Sequence, residues 1–180
     1  MRPRRRFLIL TALAALLALP GLSAFQAPKP QPIRVLLLSG QNNHDWKSTT
    51  PRLKAILEAA GIFRVEIAEN PRLLTAGTLE PYDVILSNWN AFGLEAAAAA
   101  WPEDARRAYL DFAEKGKGHV VVHAGGSSFP GWEEYARLAL AAWKDGQSSH
   151  GPRHEFPVRI DDPKHPVTEG LEPFTIGDEL

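Results

Sequence analysis

The 180 residues contain no cysteine. That absence excludes disulfide bonds, thiolate catalysis and cysteine metal sites together, so stability has to come from a packed core. An apolar run long enough for a comfortable membrane span, about 20 residues, is missing too. The apolar run from Phe7 to Leu19 falls short of it. Charge of one sign is not in excess, since 20 Lys and Arg stand against 21 Asp and Glu. Nothing strongly basic is available to draw nucleic acid or anionic lipid. There is no internal repeat, and no low-complexity stretch beyond the alanines of Glu95 to Ala100. What remains, at 44% apolar residues, suits one ordinary globular domain.

The N-terminus differs from the rest. Arg2, Arg4, Arg5 and Arg6 precede the apolar run, and the small residues Gly21, Ser23 and Ala24 follow it. This three-part pattern predicts a secretory signal over residues 1–24, cleaved after Ala24. Arg4-Arg5-Arg6-Phe7-Leu8 also resembles the twin-arginine export motif, so either general or twin-arginine export fits. The expected location is periplasmic or extracellular, with no stable membrane insertion after cleavage. Residues 1–24 carry four arginines and no acid, which leaves 16 Lys and Arg against 21 Asp and Glu, a net −5. Pro28, Pro30 and Pro32 mark residues 25–32 as an extended linker, and the domain runs over 33–180.

Along that domain, Ile33 to Leu38 reads as a buried strand. The polar loop Ser39 to Trp46 follows. Thr50 and Pro51 form a helix-start signal. Leu53, Ile56, Leu57 and Ala60 make one apolar helical face ending at Gly61. Phe63 to Ile67 alternates like an edge strand, and Tyr82 to Ser87 is a third strand leading into Asn88-Trp89-Asn90. Pro102 opens a helix with Ala105, Tyr109, Phe112 and Ala113 on its apolar side. Gly116 and Gly118 break it, and Val120-Val121-Val122 is a β-branched run expected to be covered on both faces. His123 sits at that strand's end, before the turn Ala124-Gly125-Gly126. Trp132 to Trp143 has helical spacing, and Phe156 to Ile160 reads as a last strand.

This rhythm predicts an α/β fold built on a doubly wound, mostly parallel sheet, with strand order 2-1-3-4. Three polar loops, Ser39 to Trp46, Ser87 to Phe92 and His123 to Ser128, then meet at the carboxyl ends of the strands. Their Asn, His, Trp, Ser and Gly suit a polar, hydroxyl-bearing small molecule. Asn88 and Asn90 offer amides to hydroxyls, and Trp89 an aromatic platform; each residue also has an ordinary turn or core role. His123 is the foremost site candidate. His44 is the next, and His119 reads as structural or surface.

Several ordered stretches resemble one family. Gly118-His119-Val120-Val121-Val122-His123-Ala124, then Trp132-Glu133-Glu134-Tyr135, then His150-Gly151-Pro152-Arg153-His154 look like the ThuA-like, trehalose utilisation-type proteins. So do Asp162-Pro163-Lys164-His165-Pro166-Val167-Thr168-Glu169-Gly170-Leu171 and Asp178-Glu179-Leu180. The resemblance covers about Ile33 to Leu180. It implies a flavodoxin-like fold similar to class I glutamine amidotransferases, in a fragment that stops inside the last of these motifs. Set against the amidotransferase nucleophile turn, Val122-His123-Ala124-Gly125 puts a histidine where that family's cysteine stands. Without cysteine, thioester chemistry on glutamine is excluded.

Two functions follow from the resemblance. One is an enzyme acting on a sugar or (3-keto-)glycoside. His123 and His44 are its expected catalytic groups, and Asn88, Trp89, Asn90 and Gly125 its expected substrate contacts. A divalent metal such as zinc is expected on His123, His150 and His154. The other is a non-catalytic carbohydrate-binding or scaffold domain using the same crevice. Asp178 and Glu179 are further candidate carboxylates. Both readings make a small-molecule carbohydrate the partner.

Overall fold

Four short apolar strands carry the fold. The structure, a computed structural model, describes residues 30–179 apart from 130, 141 and 145. The expected signal (1–24) and residues 25–29 of the expected linker (25–32) therefore lie outside the described residues. Chain contacts separate Met1–Pro30 from a second unit, Gln31–Leu180.

Ile33–Leu38 (β1), Phe63–Ala68 (β2), Val84–Ser87 (β3) and Gly118–Val121 (β4) form one parallel sheet in the order β2-β1-β3-β4. This is the expected order. Alternation along the strands divides the core into two layers. Val35, Leu37, Val65 and Leu86 face helix Trp46–Ala59 (α1), which touches them through Leu53 and Leu57. Leu36, Leu38 and Ile85 face the other way, toward helices Ala76–Leu79 (α2) and Glu103–Glu114 (α4). Right-handed crossovers produce this split: the one turning back to β2 lies on one face, those leading on to β3 and β4 on the other. The α4 side also holds an aromatic cluster of Trp89, Trp101, Tyr109, Phe129, Trp132 and Tyr135, packed largely edge to face.

His119 belongs to the seam between β4 and α4. Its Nε2 lies 2.5 Å from the Tyr109 hydroxyl. Burial holds the imidazole pKa below its ordinary 6.5 and pushes the Tyr109 phenol well above 10.0.

Several local expectations are corrected. Helix α1 starts at Trp46 rather than after Thr50, because the Asp45 carboxylate accepts the Ser48 amide at 3.1 Å and caps it. Ser48 also holds that carboxyl below the usual carboxylate value, through its side chain and its amide. Thr50 is instead buried with its hydroxyl 2.5 Å from Ser39 Oγ, and Pro51 lies inside the helix. On the expected apolar face, Ile56 stays 69% exposed. The sequence rhythm placed two strands in succession where α2 intervenes; parallel strands need such a crossover. A Thr75–Thr78 capping box starts it. The alanine run supplies a single short helix, Ala96–Ala99 (α3).

Strand β4 is not covered on both faces. It lies at the edge of the four-stranded sheet, and Val120 is 46% exposed. A 3-10 turn, His123–Ser127, follows it, then helix Glu133–Ala139 (α5), which stops at Leu140 with φ 64° instead of reaching Trp143. His154–Val158 (β5) and Phe174–Asp178 (β6) form a separate antiparallel ribbon; the strand expected over Phe156 to Ile160 begins two residues earlier, and it is not the last. Pro157 is tolerated there because a two-stranded ribbon has an unpaired edge on each strand. No described helix is long and apolar enough to cross a membrane.

Candidate functional site

Three loops meet at the carboxyl ends of β1, β3 and β4, and the first and last of them bring two histidines into contact, their rings tilted by 49°. His44 Nε2 and His123 Nε2 are 3.2 Å apart, with ring centroids separated by 4.7 Å. Both residues are exposed and line a cavity of about 810 Å³. Its walls include Phe92, Trp143, His150 and Arg153, with Asp178 and Glu179 from the β6 end.

Backbone constraints place each partner. Strand β1 leaves the sheet through Gly40, at φ 93°, where an added Cβ would lie 1.9 Å from the Glu69 carbonyl oxygen. Only glycine fits so close a passage. The chain then reaches His44, whose amide donates to Asn42 Oδ1 at 2.9 Å, and the Asp45 cap turns it into α1. On the other side, the Val122 amide bonds the Ser87 carbonyl at 3.0 Å, the last rung between β4 and β3. His123 follows with φ 42°, a left-handed conformation uncommon for a residue with a side chain. The turn is pressed onto β3 at Gly125, where a Cβ would come within 2.5 Å of the Ser87 oxygen. Tyr135 Oη and Ser128 Oγ both donate to the Gly125 carbonyl at 2.6 Å, fixing the turn from below.

The structure brings His123 and His44, the two expected catalytic groups, next to each other, while other expectations are corrected. Asn88, Trp89 and Asn90 are buried, so none of the three presents its side chain to the cavity. Trp89 stacks on Phe129 inside the aromatic cluster, and Asn88 Nδ2 donates to Thr49 Oγ1 at 3.4 Å. Gly125 is also buried; its missing side chain admits backbone, not ligand.

The expected metal trio does not come together. His150 reaches the cavity and pairs with Glu179, Nδ1 to Oε2 at 3.3 Å. His154 starts β5 and turns its Nδ1 to the Pro152 carbonyl at 3.0 Å. Among the described residues no group of three His, Asp or Glu side chains is placed to hold a metal ion. His150 lies in the irregular loop before β5 and His154 is the first residue of that strand, so no helical turn brings the two onto one face.

Sequence reasoning missed Phe92, Trp143 and Arg153 as cavity residues. Arg153 stood inside the quoted histidine-bearing stretch, and that stretch was the available signal. Trp143 was assigned to the end of a helix that stops before reaching it.

Comparison with known proteins agrees with the architecture. The sequence model of the family described as ThuA, trehalose utilisation, matches residues 34–180. No protein of curated function matches. A ThuA-like protein from Parabacteroides merdae ATCC 43184 is similar at 31% identity and a TM-score of 0.67, over 83% of this chain and 62% of its own. A ThuA-like protein from Bacteroides uniformis ATCC 8492 shares the fold at 20% identity and a TM-score of 0.64, over 88% and 64%. The chain thus spans less than two thirds of either relative's length. With the family model covering nearly all of the described domain, the chain belongs to the ThuA, trehalose utilisation, family.

Proposed function

We propose that this protein is an exported enzyme acting on a sugar or 3-keto-glycoside, with His44 and His123 as its acid–base pair. The observation that carries the reading is the 3.2 Å approach of two exposed Nε2 atoms at the wall of a large cavity. At this separation the two rings can hydrogen-bond, one Nε2 carrying the proton and the other accepting it. A pair with one bare Nε2 and one protonated Nε2 is a base beside an acid.

A ketone at C3 of a sugar acidifies the C2 proton. The bare Nε2 takes that proton, and the C2–H electrons form the enolate. Its collapse makes the C1–C2 double bond and breaks the glycosidic C1–O bond, whose electron pair leaves with the oxygen. That oxygen takes the proton of the second Nε2. One proton has entered the pair and one has left it, so transfer across the 3.2 Å gap restores the starting state. Arg153 and Trp143, both lining the cavity, offer a donor and an apolar surface for the rest of the sugar.

The test is turnover of a 3-keto-glycoside by the full-length protein and by His44→Asn and His123→Asn. Each change should cost about 10²-fold or more in kcat. Binding without turnover in the unaltered protein would favour a carbohydrate-binding domain and defeat the enzyme reading. Export rests on the arginine cluster, the apolar run and Ala24. N-terminal sequencing of secreted protein should read from Phe25, and a retained Met1 in a soluble cytoplasmic product would refute it.

A further inference from the structure

We infer that Asn90 sets the spacing of the His44–His123 pair, as a positioning residue for the reaction proposed above, on which its catalytic meaning rests. The two histidines come from loops 79 positions apart, and both side chains are exposed. Exposed rings keep a 3.2 Å approach only if their backbones are held, since free rotation would scatter them.

The holding group is a single buried amide. Asn90 is 0% exposed. Its Nδ2 donates to Asn43 Oδ1 at 2.5 Å, the residue directly before His44, and to the carbonyl of Ala124 at 3.3 Å, directly after His123. It also approaches Asn42 Oδ1 at 3.4 Å, the same oxygen that accepts the His44 amide. Its Oδ1 accepts the Phe92 amide at 3.1 Å, and its own backbone N–H donates to the Gln41 carbonyl at 3.1 Å. One side chain therefore fastens the neighbours of both histidines, and it must donate and accept at once. Of side chains this size, only the amide does both in fixed directions; a carboxylate would face the Asn43 and Ala124 oxygens without a proton to offer.

The experiment reads the imidazole nitrogens of the full-length protein by ¹⁵N NMR at fixed pH. A held pair gives one protonated and one bare Nε2, with distinct shifts. Asn90→Asp keeps the shape and removes the donor, and both Nε2 shifts should move to a common, tautomer-averaged value. Asn43→Ala alters an exposed partner of the same amide, so it decides the matter if Asn90→Asp fails to fold; the His44 shift should move and the melting temperature should not. Distinct shifts retained in both folded variants, or never seen in the unaltered protein, would overturn the assignment. Turnover by His123→Asn separates the two claims. A variant as active as the parent removes the reaction and leaves the Asn90 assignment to the NMR result.

Discussion

His123 combines a reactive side chain with a costly backbone. At φ 42° most residues with a Cβ are strained, whereas asparagine and glycine accept this region. His123→Asn should therefore leave stability within about 0.5 kcal/mol of the parent while losing activity. His123→Val, β-branched, should cost about 1–3 kcal/mol. Urea melts of both variants check this, and equal melts would show that the turn bears no strain. Strain at this position follows from pressing the turn onto Ser87 through Gly125. The sequence disclosed the histidine, at a strand end before a glycine turn, but not its conformation. Asn90 was less legible. An asparagine in a loop looks alike whether it faces solvent or bridges two other loops, and the bridge exists only once segments more than 30 positions apart have met.

Between elements, the β4–α4 seam gives a pH dependence. Unfolded, His119 titrates near 6.5; folded, burial lowers that value. Between the two values the unfolded chain binds more protons, so stability falls as pH drops through 6.5 and levels off below the folded value. The loss is no steeper than about 1.4 kcal/mol per pH unit. His119→Gln keeps a polar partner for Tyr109 without a titrating ring, so its urea-denaturation stability should change less between pH 8 and pH 5.5. An unchanged slope would remove His119 as the cause. The start of α1 shows how element boundaries escape sequence reading. Thr50-Pro51 is a good local signal, yet Asp45 caps the helix and Thr50 is drawn inward by Ser39. Likewise the three valines looked doubly covered because composition does not reveal a strand's place in the sheet.

For the whole molecule, the sheet order and the meeting of the three loops were legible because crossover handedness leaves few alternatives to an alternating α/β pattern. The β5–β6 ribbon was not legible: β6 carries no strong strand pattern, and its pairing joins segments separated by a long turn-rich stretch. The same topology has a temporal consequence. The contact between His44 and His123 closes a loop of 79 positions and requires β1, β3 and β4 to be aligned first. Long-range closure of this kind comes late in folding. On the general export route, one of the two that the N-terminal pattern fits, a chain crosses the membrane unfolded, so the proposed reacting pair would not yet exist during transit. On that route competence for the proposed reaction would begin only where the chain folds.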